Sequence, residues 1–394
     1  MSAKQNNHQI YIGNNLLDIV VFMIPVTIMA DWLHDFEILS IPLGLYLKGL
    51  SIALYIYIFS TNSIRGFYFK NVLLYILLLF VIYSLFSDNI LLNLYFSIRV
   101  AYWIFASIVF YFLFQNELIS VPKFKIMLIL SASIAAIFTI RYISGLDEEN
   151  YANASGYLLL WILPLLLVFR KEIIVKLIIL ISIVAILITI KRGVMLALLL
   201  SFLGYMLALL FISRDFISKM KIFLGGILIA GVSLIVLIPN WEIVSNRFED
   251  KSGSGRDNLY ETIITSYANS DLIHQFFGYG INSVQKLTAI VLAGHQDSVG
   301  VAAHSDWLQY LYDFGVLGLF FMIVMHYKML SFIAFYFRAR SNLFPSLLMF
   351  YMIFFLTTVY SFILNTPNAI FLGIGLAFFS AYKNHLGAKM KTIG

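Results

Sequence analysis

The chain has 394 residues, of which 61% are hydrophobic and only 12% are charged. Soluble domains carry about 25% charged residues, so this composition excludes an ordinary soluble protein and indicates a chain that lies mostly in lipid. The formal net charge of +6 does not indicate nucleic-acid binding, because the basic residues lie in short segments between apolar runs. The absence of cysteine excludes disulfides and thiolate metal sites.

Long apolar runs dominate the chain between residues 16 and 383. A transmembrane helix needs about 20 mostly apolar residues, so these runs predict an all-α polytopic membrane protein with about 12 transmembrane helices. Residues 1–15 are polar and no cleavage site follows, so we expect the first run to be a retained span. We predict one integral membrane domain over 1–394, with spans at 16–32, 38–60, 72–87, 90–115, 125–144, 155–170, 176–191, 194–212, 222–239, 306–328, 344–363 and 368–383.

The distribution of lysine and arginine predicts the orientation of these spans. Basic residues concentrate in alternate connections, whereas the connections between them are mostly acidic or neutral. Because cytoplasmic loops carry the excess of Lys and Arg, both termini are predicted to lie in the cytoplasm. The expected location is the bacterial inner (cytoplasmic) membrane. The basic connections are 65–70, 123–125, 170–176, 214–221, 328–340 and 383–391.

One connection, 240–305, is much longer than the others and is predicted to be external, that is, periplasmic. Loops of this length in compact proteins usually have a function. Residues 251–256 (KSGSGR) are expected to form a mobile turn, and 278–280 (GYG) a tight turn. Apolar residues at helical spacing in 257–269 predict an amphipathic helix on the membrane surface.

Several basic residues contradict the orientation rule, because they fall in the outer half of a span or in the external loop. They are Arg99, Arg141, Lys191, Arg192, Arg247, Lys251, Arg256 and Lys286; Lys48 lies within a span and has no assigned place. Such residues are costly in the membrane, so an anionic ligand at the outer leaflet would explain them. A phosphate clamp is one interpretation, because guanidinium binds phosphate oxygens in a bidentate way. Snorkelling to headgroups or pairing with nearby carboxylates is the alternative.

His304 has a more informative context than the other histidines. It precedes Ser305, a candidate helix cap, and Asp306. A histidine here could accept a proton from a sugar hydroxyl near neutral pH, or it could be an interfacial aromatic beside Trp307. His34 lies among Asp31, Asp35 and Glu37, which we interpret as an acidic loop, and no metal site is expected.

Three stretches in 190–320 carry a resemblance to the bacterial O-antigen polymerase and ligase family (Wzy and WaaL type). The first stretch is KRG at 191–193. The second is NRF at 246–248, followed by GRDNLY at 255–260 and GYG at 278–280. The third is HSDWL at 304–308, which leads into FGVLG at 314–318. Each motif is weak by itself, but their order and spacing within one chain make the resemblance specific.

This resemblance implies a metal-independent, inverting glycosyltransferase that acts on the periplasmic face and needs no cofactor. Arg192 and Arg256 match the family arginines that hold the pyrophosphate, and His304 matches the histidine that acts on the acceptor hydroxyl. Secondary candidates for binding pyrophosphate or glycan are Arg141, Lys191, Arg247, Arg99 and Tyr260. Tyr260 stands where many members have tryptophan.

The expected activity is that of a surface polysaccharide polymerase. It would transfer a glycan from undecaprenyl pyrophosphate to the non-reducing end of another lipid-linked repeat unit. An O-antigen ligase that transfers the glycan to lipid A core is the first alternative, and a transporter or flippase of lipid-linked sugars is the second. The expected partners are the lipid-linked oligosaccharide, the bilayer and, as a further candidate, a chain-length regulator protein; nucleic acid is not expected.

Overall fold

The computed structural model describes residues 14–32, 37–38, 41–85, 90–143, 149–189, 191–213, 215–238, 256–293, 301–360, 364 and 369–391. Arg247, Lys251 and the rest of 239–255 lie outside these residues, as does most of the acidic loop around His34. The predictions made for these residues therefore stay predictions.

Long α-helices make up nearly all of the described chain, together with one short antiparallel hairpin. The hairpin pairs β1 (Glu37–Ile38) with β2 (Ile41–Pro42). The first nine helices are α1 (Asn14–Trp32), α2 (Leu43–Thr61), α3 (Lys70–Leu85), α4 (Ile90–Gln115), α5 (Val121–Ile143), α6 (Glu149–Leu166), α7 (Ile173–Ile188), α8 (Arg192–Ile212) and α9 (Phe216–Leu237). The others are α10 (Arg256–Ala268), α11 (Leu272–Phe277), α12 (Ser283–Ala293), α13 (Asp306–Arg338), α14 (Phe344–Tyr360) and α15 (Ile370–Lys391).

The structure confirms an all-helical membrane protein, and each predicted span overlaps one long helix. Within the part of the chain whose side chains are described, six helices are long and apolar enough to cross a membrane: Asn15–Trp32, Leu43–Thr61, Phe96–Gln115, Val121–Arg141, Arg192–Ile212 and Asp306–Arg338. Five more are apolar but shorter, namely Lys70–Leu85, Ser155–Phe169, Ile173–Ile188, Phe344–Tyr360 and Ile370–Asn384. The number of 12 spans and the periplasmic side of the long connection stay predictions.

Two predicted boundaries were wrong for local reasons. The second span was expected from residue 38, but α2 begins at Leu43, after the hairpin. Ile41 precedes Pro42, and a residue before proline is disfavoured in the helical region, so the helix cannot start earlier. The span that begins at Asp306 was expected to end near 328. It continues to Arg338 because the sequence stays apolar and free of helix breakers over 329–337.

Pairwise packing of long helices builds the bundle. Helix α4 packs along α15, α8 along α14, and α5 against α6. Trp103 of α4 and Trp161 of α6 are fully buried, and the ring of Trp161 meets Phe350 of α14 edge-on at 5.3 Å. Because lipid supplies little hydrophobic force between helices, close van der Waals packing of such large side chains is what holds the bundle together.

Helix α13 is broken at Gly315, which has φ 61° and ψ −146°. The segment 316–338 is about 34 Å long at 1.5 Å per residue, enough to cross a bilayer. The segment 306–314 contacts α10 through the Tyr312 hydroxyl and α12 through the Asp313 carboxylate, and Gly278 after α11 approaches the Asp313 backbone. We call these three helices, together with 301–314, the loop subdomain.

A small second core holds the loop subdomain together. Its buried residues are Leu259, Ile263, Val284, Ala303 and Tyr312. The predicted helix at 257–269 is therefore present as α10, but Leu259 and Ile263 of its apolar face pack against protein instead of the membrane surface. The expected turn at 278–280 is also present, with Gly278 at φ 74° and Gly280 at φ 99°.

Asp313 fastens α12 to the broken helix. Its buried carboxylate accepts hydrogen bonds from the backbone N–H of Asn282 at 3.1 Å and of Ser283 at 3.0 Å, and from the Gln309 side chain at 2.7 Å. The backbone N–H of Gly280 donates to the Asp313 carbonyl at 2.9 Å. One carboxylate therefore satisfies the first N–H groups of α12, as a helix cap does.

Replacement of Gly315 with alanine is expected to destabilise this arrangement by at least about 2 kcal/mol. A Cβ atom at this position would lie 2.5 Å from the Gln275 carbonyl oxygen and 2.6 Å from the Phe276 carbonyl carbon, both of which are backbone atoms. Thermal unfolding of the purified protein in detergent measures the loss. Gly49→Ala is the matched control, because a Cβ there meets nothing within 4 Å and α2 is helical. Equal melting temperatures for the two variants would contradict the expectation.

Candidate active site

The C-terminal end of α14 brings three distant segments of the chain together. The carbonyl of Tyr360 accepts a hydrogen bond from Nη1 of Arg256 at 3.4 Å. The carbonyl of Thr358 accepts one from the hydroxyl of Ser305 at 3.5 Å. A Cβ atom added to Gly193 would lie 4.0 Å from the Tyr360 carbonyl oxygen. The start of α8, the start of α10 and the segment before α13 therefore converge at one point.

His304 lies at this convergence and is in contact with Tyr260. The Tyr260 hydroxyl donates to the His304 carbonyl at 3.2 Å, and the His304 side chain is half-buried. The backbone of His304 has φ 51°, a left-handed conformation that is uncommon for non-glycine residues and recurs at functional sites. Burial, and secondarily the positive charge of Arg256, lower the pKa of the His304 imidazole from its ordinary value. The ring is therefore neutral at pH 7 and can accept a proton.

The residues that follow His304 fix its place. The Ser305 hydroxyl accepts from the backbone N–H of Leu308 at 3.5 Å, so the predicted cap of α13 is present. Asp306 is fully buried, and its carboxylate accepts from the backbone N–H of Leu364 at 3.3 Å. The ring of Trp307 stacks on His326 with centroids 5.0 Å apart. These contacts of Ser305, Asp306 and Trp307 fix the backbone that directly follows His304.

The N-terminus of α8 forms another part of the site. Lys191 and Arg192 are half-buried, the first turn contains no acidic residue, and no side chain caps the helix. The positive end of a helix dipole normally attracts acidic groups, so two basic residues here make a concentrated positive field. Free backbone N–H groups of a helix N-terminus also bind phosphate. A Cβ added to Gly193 would lie 3.1 Å from the Tyr157 hydroxyl, so the backbone approaches closely.

The secondary candidates are more scattered. Arg141 is exposed in the last turn of α5. Arg99 lies one turn of α4 before Trp103, whose indole N–H donates to the Leu364 carbonyl at 3.0 Å. Its guanidinium lies over the Phe96 ring at 5.7 Å and close enough to Asp31 and Lys48 for electrostatic interaction.

Lys48, which the sequence left without a place, pairs with a carboxylate from the preceding helix. It is buried and forms a salt bridge with Asp31 at the end of α1. Asp31 is therefore the partner of Lys48, and His34 lies outside the described residues. Among the residues that the structure describes, no group of three or more His, Asp or Glu could hold a metal ion.

Sequence reasoning missed the residues at the centre of the site, Tyr360 and Tyr157. Tyr360 ends an apolar helix, and Tyr157 lies inside one, so neither carries a charge or motif that sets it apart. Tyr360 contributes a backbone carbonyl, which no residue type reveals. His326 was likewise not singled out, although it is buried against Trp307.

Comparison with known protein families gives a match over the segment that contains most of the candidate site residues. Residues 177–323 match the family model of the O-antigen ligases. The matched segment contains Arg192, Arg256, Tyr260 and His304, and it includes the break at Gly315. Tyr360 lies beyond it. Among curated proteins no significant match is found.

The O-antigen ligase match confirms the family resemblance seen in the motifs. It supports, in general terms, an enzyme of polysaccharide biosynthesis that transfers glycans. Together with the apolar helices, the match supports a multi-pass membrane protein.

Proposed function

We propose that the protein is a surface polysaccharide polymerase. It transfers a glycan from undecaprenyl pyrophosphate to the non-reducing end of another lipid-linked repeat unit, with inversion, on the periplasmic face of the inner membrane. The observation that carries this proposal is the convergence of Arg256, the α8 N-terminus with Arg192, and His304 at the end of α14. Arg256 and the α8 N-terminus are groups that can bind an anion, and His304 is a neutral group that can accept a proton.

The anion site suits the pyrophosphate leaving group. Departure of the glycan leaves increasing negative charge on the phosphates, and fixed positive groups stabilise that charge without a metal. A guanidinium has several N–H donors, and the hydrogen bond from Arg256 to the Tyr360 carbonyl uses only one of them. The bond orients the planar group while its other donors can bind phosphate oxygens in a bidentate way. Arg192 and the first N–H groups of α8 add further positive potential.

His304 suits the acceptor. An inverting displacement needs a base that removes the proton of the attacking hydroxyl, on the face opposite the leaving group. The low pKa of His304 keeps its imidazole in the proton-accepting form, and Arg256 nearby opposes its protonation before the reaction. Arg141, Lys191, Arg99 and Tyr260 are proposed as secondary contacts to pyrophosphate or glycan, and Arg247 as one more.

The acceptor distinguishes a polymerase from a ligase, because both use the same donor. The description of the matched family favours a ligase that transfers to lipid A core, and this is the second candidate. We favour the polymerase because such enzymes are diverse and frequently rich in Ile, Phe, Tyr and Asn, as this chain is. A chain-length regulator protein is a proposed partner of the polymerase.

Incubation of the purified protein with a lipid-linked oligosaccharide, with and without lipid A core, tests the proposal. Longer lipid-linked chains support the polymerase, and transfer to lipid A core supports the ligase. If no new glycosidic bond forms with either acceptor, both enzymes are excluded and movement of the lipid-linked sugar across vesicles becomes the activity to measure.

The pH dependence of transfer follows from the neutral state of His304. As the pH falls through the lowered pKa, the imidazole gains a proton and stops accepting one, so kcat/KM should decline on the acid side. Because the pKa is lowered, the midpoint of this decline is expected below about 6.5, the ordinary value for histidine. A pH profile of initial rates measures it. An acid midpoint clearly above 6.5 would rule out a neutral His304 as the base.

A further inference from the structure

A basic cavity of about 1120 Å³ lies at the end of the bundle opposite the candidate active site. Helices α8 and α13 begin at that site and end at this cavity, and α14 runs back in the reverse direction. Three connections form its walls: the turn after α6, the α8–α9 connection and the α13–α14 connection. We call it the basic cleft; its cations are Arg170, Lys171, Lys221 and Arg340.

The positive charge of the basic cleft is largely uncompensated. Asp215 is the acidic residue in its lining; its carboxylate accepts the backbone N–H of Ser218 at 2.8 Å, which caps α9, and it also interacts electrostatically with Lys221. One carboxylate thus faces four cations. Glu172, the neighbour of Lys171, pairs instead with Lys125 of α5 at 2.5 Å. Within the described part of the chain, no carboxylate forms a salt bridge with Lys171, Lys221 or Arg340.

Arg170 is oriented without losing its charge. Its Nη1 donates to the neutral hydroxyl of Tyr205 at 2.7 Å, and its guanidinium lies 5.8 Å from the same ring. Tyr205 is buried in α8, so this bond ties the guanidinium to the wall of the bundle. A guanidinium held in this way is a preorganised ligand for phosphate.

Three phenylalanine rings line the cleft beside its cations. The rings of Phe211 and Phe337 stack with centroids 5.1 Å apart, and Phe337 meets Phe344 at 5.4 Å. Phe211 is 63% exposed and Phe337 44% exposed on the outer surface of helices that are long enough to span a membrane. The cleft therefore joins a phosphate-binding head to an apolar flank. A free phosphate would use only the first, whereas a phospholipid would use both.

We propose that the basic cleft binds the headgroup of an anionic phospholipid, whose acyl chains lie along Phe211 and Phe337. Basic pockets between transmembrane helices bind anionic headgroups in this way. The site is separate from the proposed glycan-transfer site, at the other end of α8 and α13.

Arg340 offers a way to remove charge without disturbing the fold. It follows α13 with φ 47°, and its backbone N–H donates to the Phe337 carbonyl at 3.0 Å. The residue at this point of a helix end is usually glycine, because glycine adopts positive φ without strain. Arg340→Gly should therefore leave the turn intact and weaken lipid binding.

Native mass spectrometry and thermal unfolding of the full-length protein in detergent test the proposal with three probes. The probes are phosphatidylglycerol, which is anionic, phosphatidylcholine, which is zwitterionic, and inorganic phosphate. Phosphatidylglycerol is expected to stay bound and raise the melting temperature, and the other two are not. In Lys171→Gln/Lys221→Gln the apparent affinity for phosphatidylglycerol should fall by about tenfold or more.

Lys176→Gln/Lys219→Gln is the matched control, because it removes the same charge from exposed positions on α7 and α9 outside the cleft. It is expected to bind phosphatidylglycerol like the wild type. Equal binding of phosphatidylcholine, equal stabilisation by phosphate, or equal losses in the two double variants would each overturn the proposal. Arg340→Gly is expected to weaken phosphatidylglycerol binding while the melting temperature of the lipid-free protein stays unchanged. Unweakened binding in this variant would also count against the proposal.

Discussion

Arg256→Ala is expected to reduce the rate of glycan transfer by at least about 100-fold, the usual effect of removing one donor that stabilises transition-state charge. Arg256 is half-buried at the convergence of α8, α10 and α14, and it both binds the Tyr360 carbonyl and acts on the His304 imidazole. The substitution therefore removes the proposed phosphate ligand and one cause of the lowered pKa of His304. Elongation of a lipid-linked oligosaccharide by the purified variant measures the loss.

Two further variants separate the role of Arg256 from a general effect of charge. Arg256→Lys keeps the charge but lacks the planar fork, so it should recover little of the rate. Lys286→Ala removes an exposed cation from α12 of the same loop subdomain and should transfer at the wild-type rate. If Arg256→Ala retains more than about a tenth of the activity, Arg256 has no direct part in the chemistry.

His304→Gly is expected to lower transfer by about 100- to 10,000-fold, the contribution typical of a positioned general base. Glycine is the informative replacement because His304 has φ 51°. Glycine adopts this backbone conformation without strain, whereas alanine would be strained. The carbonyl that accepts from Tyr260 and the cap at Ser305 both survive in this variant. Initial rates at several pH values measure the loss, and the residual rate should no longer decline on the acid side.

His274→Ala serves as the control for His304→Gly. His274 is paired with Asp271 at 2.8 Å on α11, away from Tyr360, so transfer should be unaffected. Folding is checked by the melting temperature, which is expected to be close to that of the wild type for both variants. A His304→Gly protein with an unchanged rate would exclude His304 as the base and leave only a structural role for it.

Hydropathy was enough to find the long helices, because lipid imposes one strong requirement on every spanning segment. The break in α13 was not predicted from FGVLG at 314–318, which looks like any apolar helical run with two glycines. What demands a glycine at 315 is the approach of the Gln275 and Phe276 backbone, and these atoms are remote in the sequence. Hydrophobic periodicity, which is a local pattern, cannot predict contacts between residues so far apart in the sequence.

For the candidate site, sequence reasoning found charges but not the scaffold that assembles them. Arg192, Arg256 and His304 stood out because they contradict the orientation rule or precede a helix cap. Their segments converge at the end of α14, where the carbonyls of Thr358 and Tyr360 accept from Ser305 and Arg256, and any residue would supply these backbone groups. The Lys48–Asp31 pair was missed for another reason: the hairpin that connects α1 and α2 lets a cation inside one span reach the end of the other. A search for opposite charges across adjacent helices would have found it.

The broken α13 also has a mechanical consequence. The segment before Gly315 holds 279–284 through the backbone carbonyls of Tyr312 and Asp313 and through the Asp313 carboxylate. The Tyr310 ring of the same segment stacks on Phe321 beyond the break with centroids 5.5 Å apart, and Phe314 packs against Phe80 of α3. The loop subdomain and the membrane core are therefore coupled through aromatic contacts, and a shift of α12 on ligand binding is expected to reach the bundle.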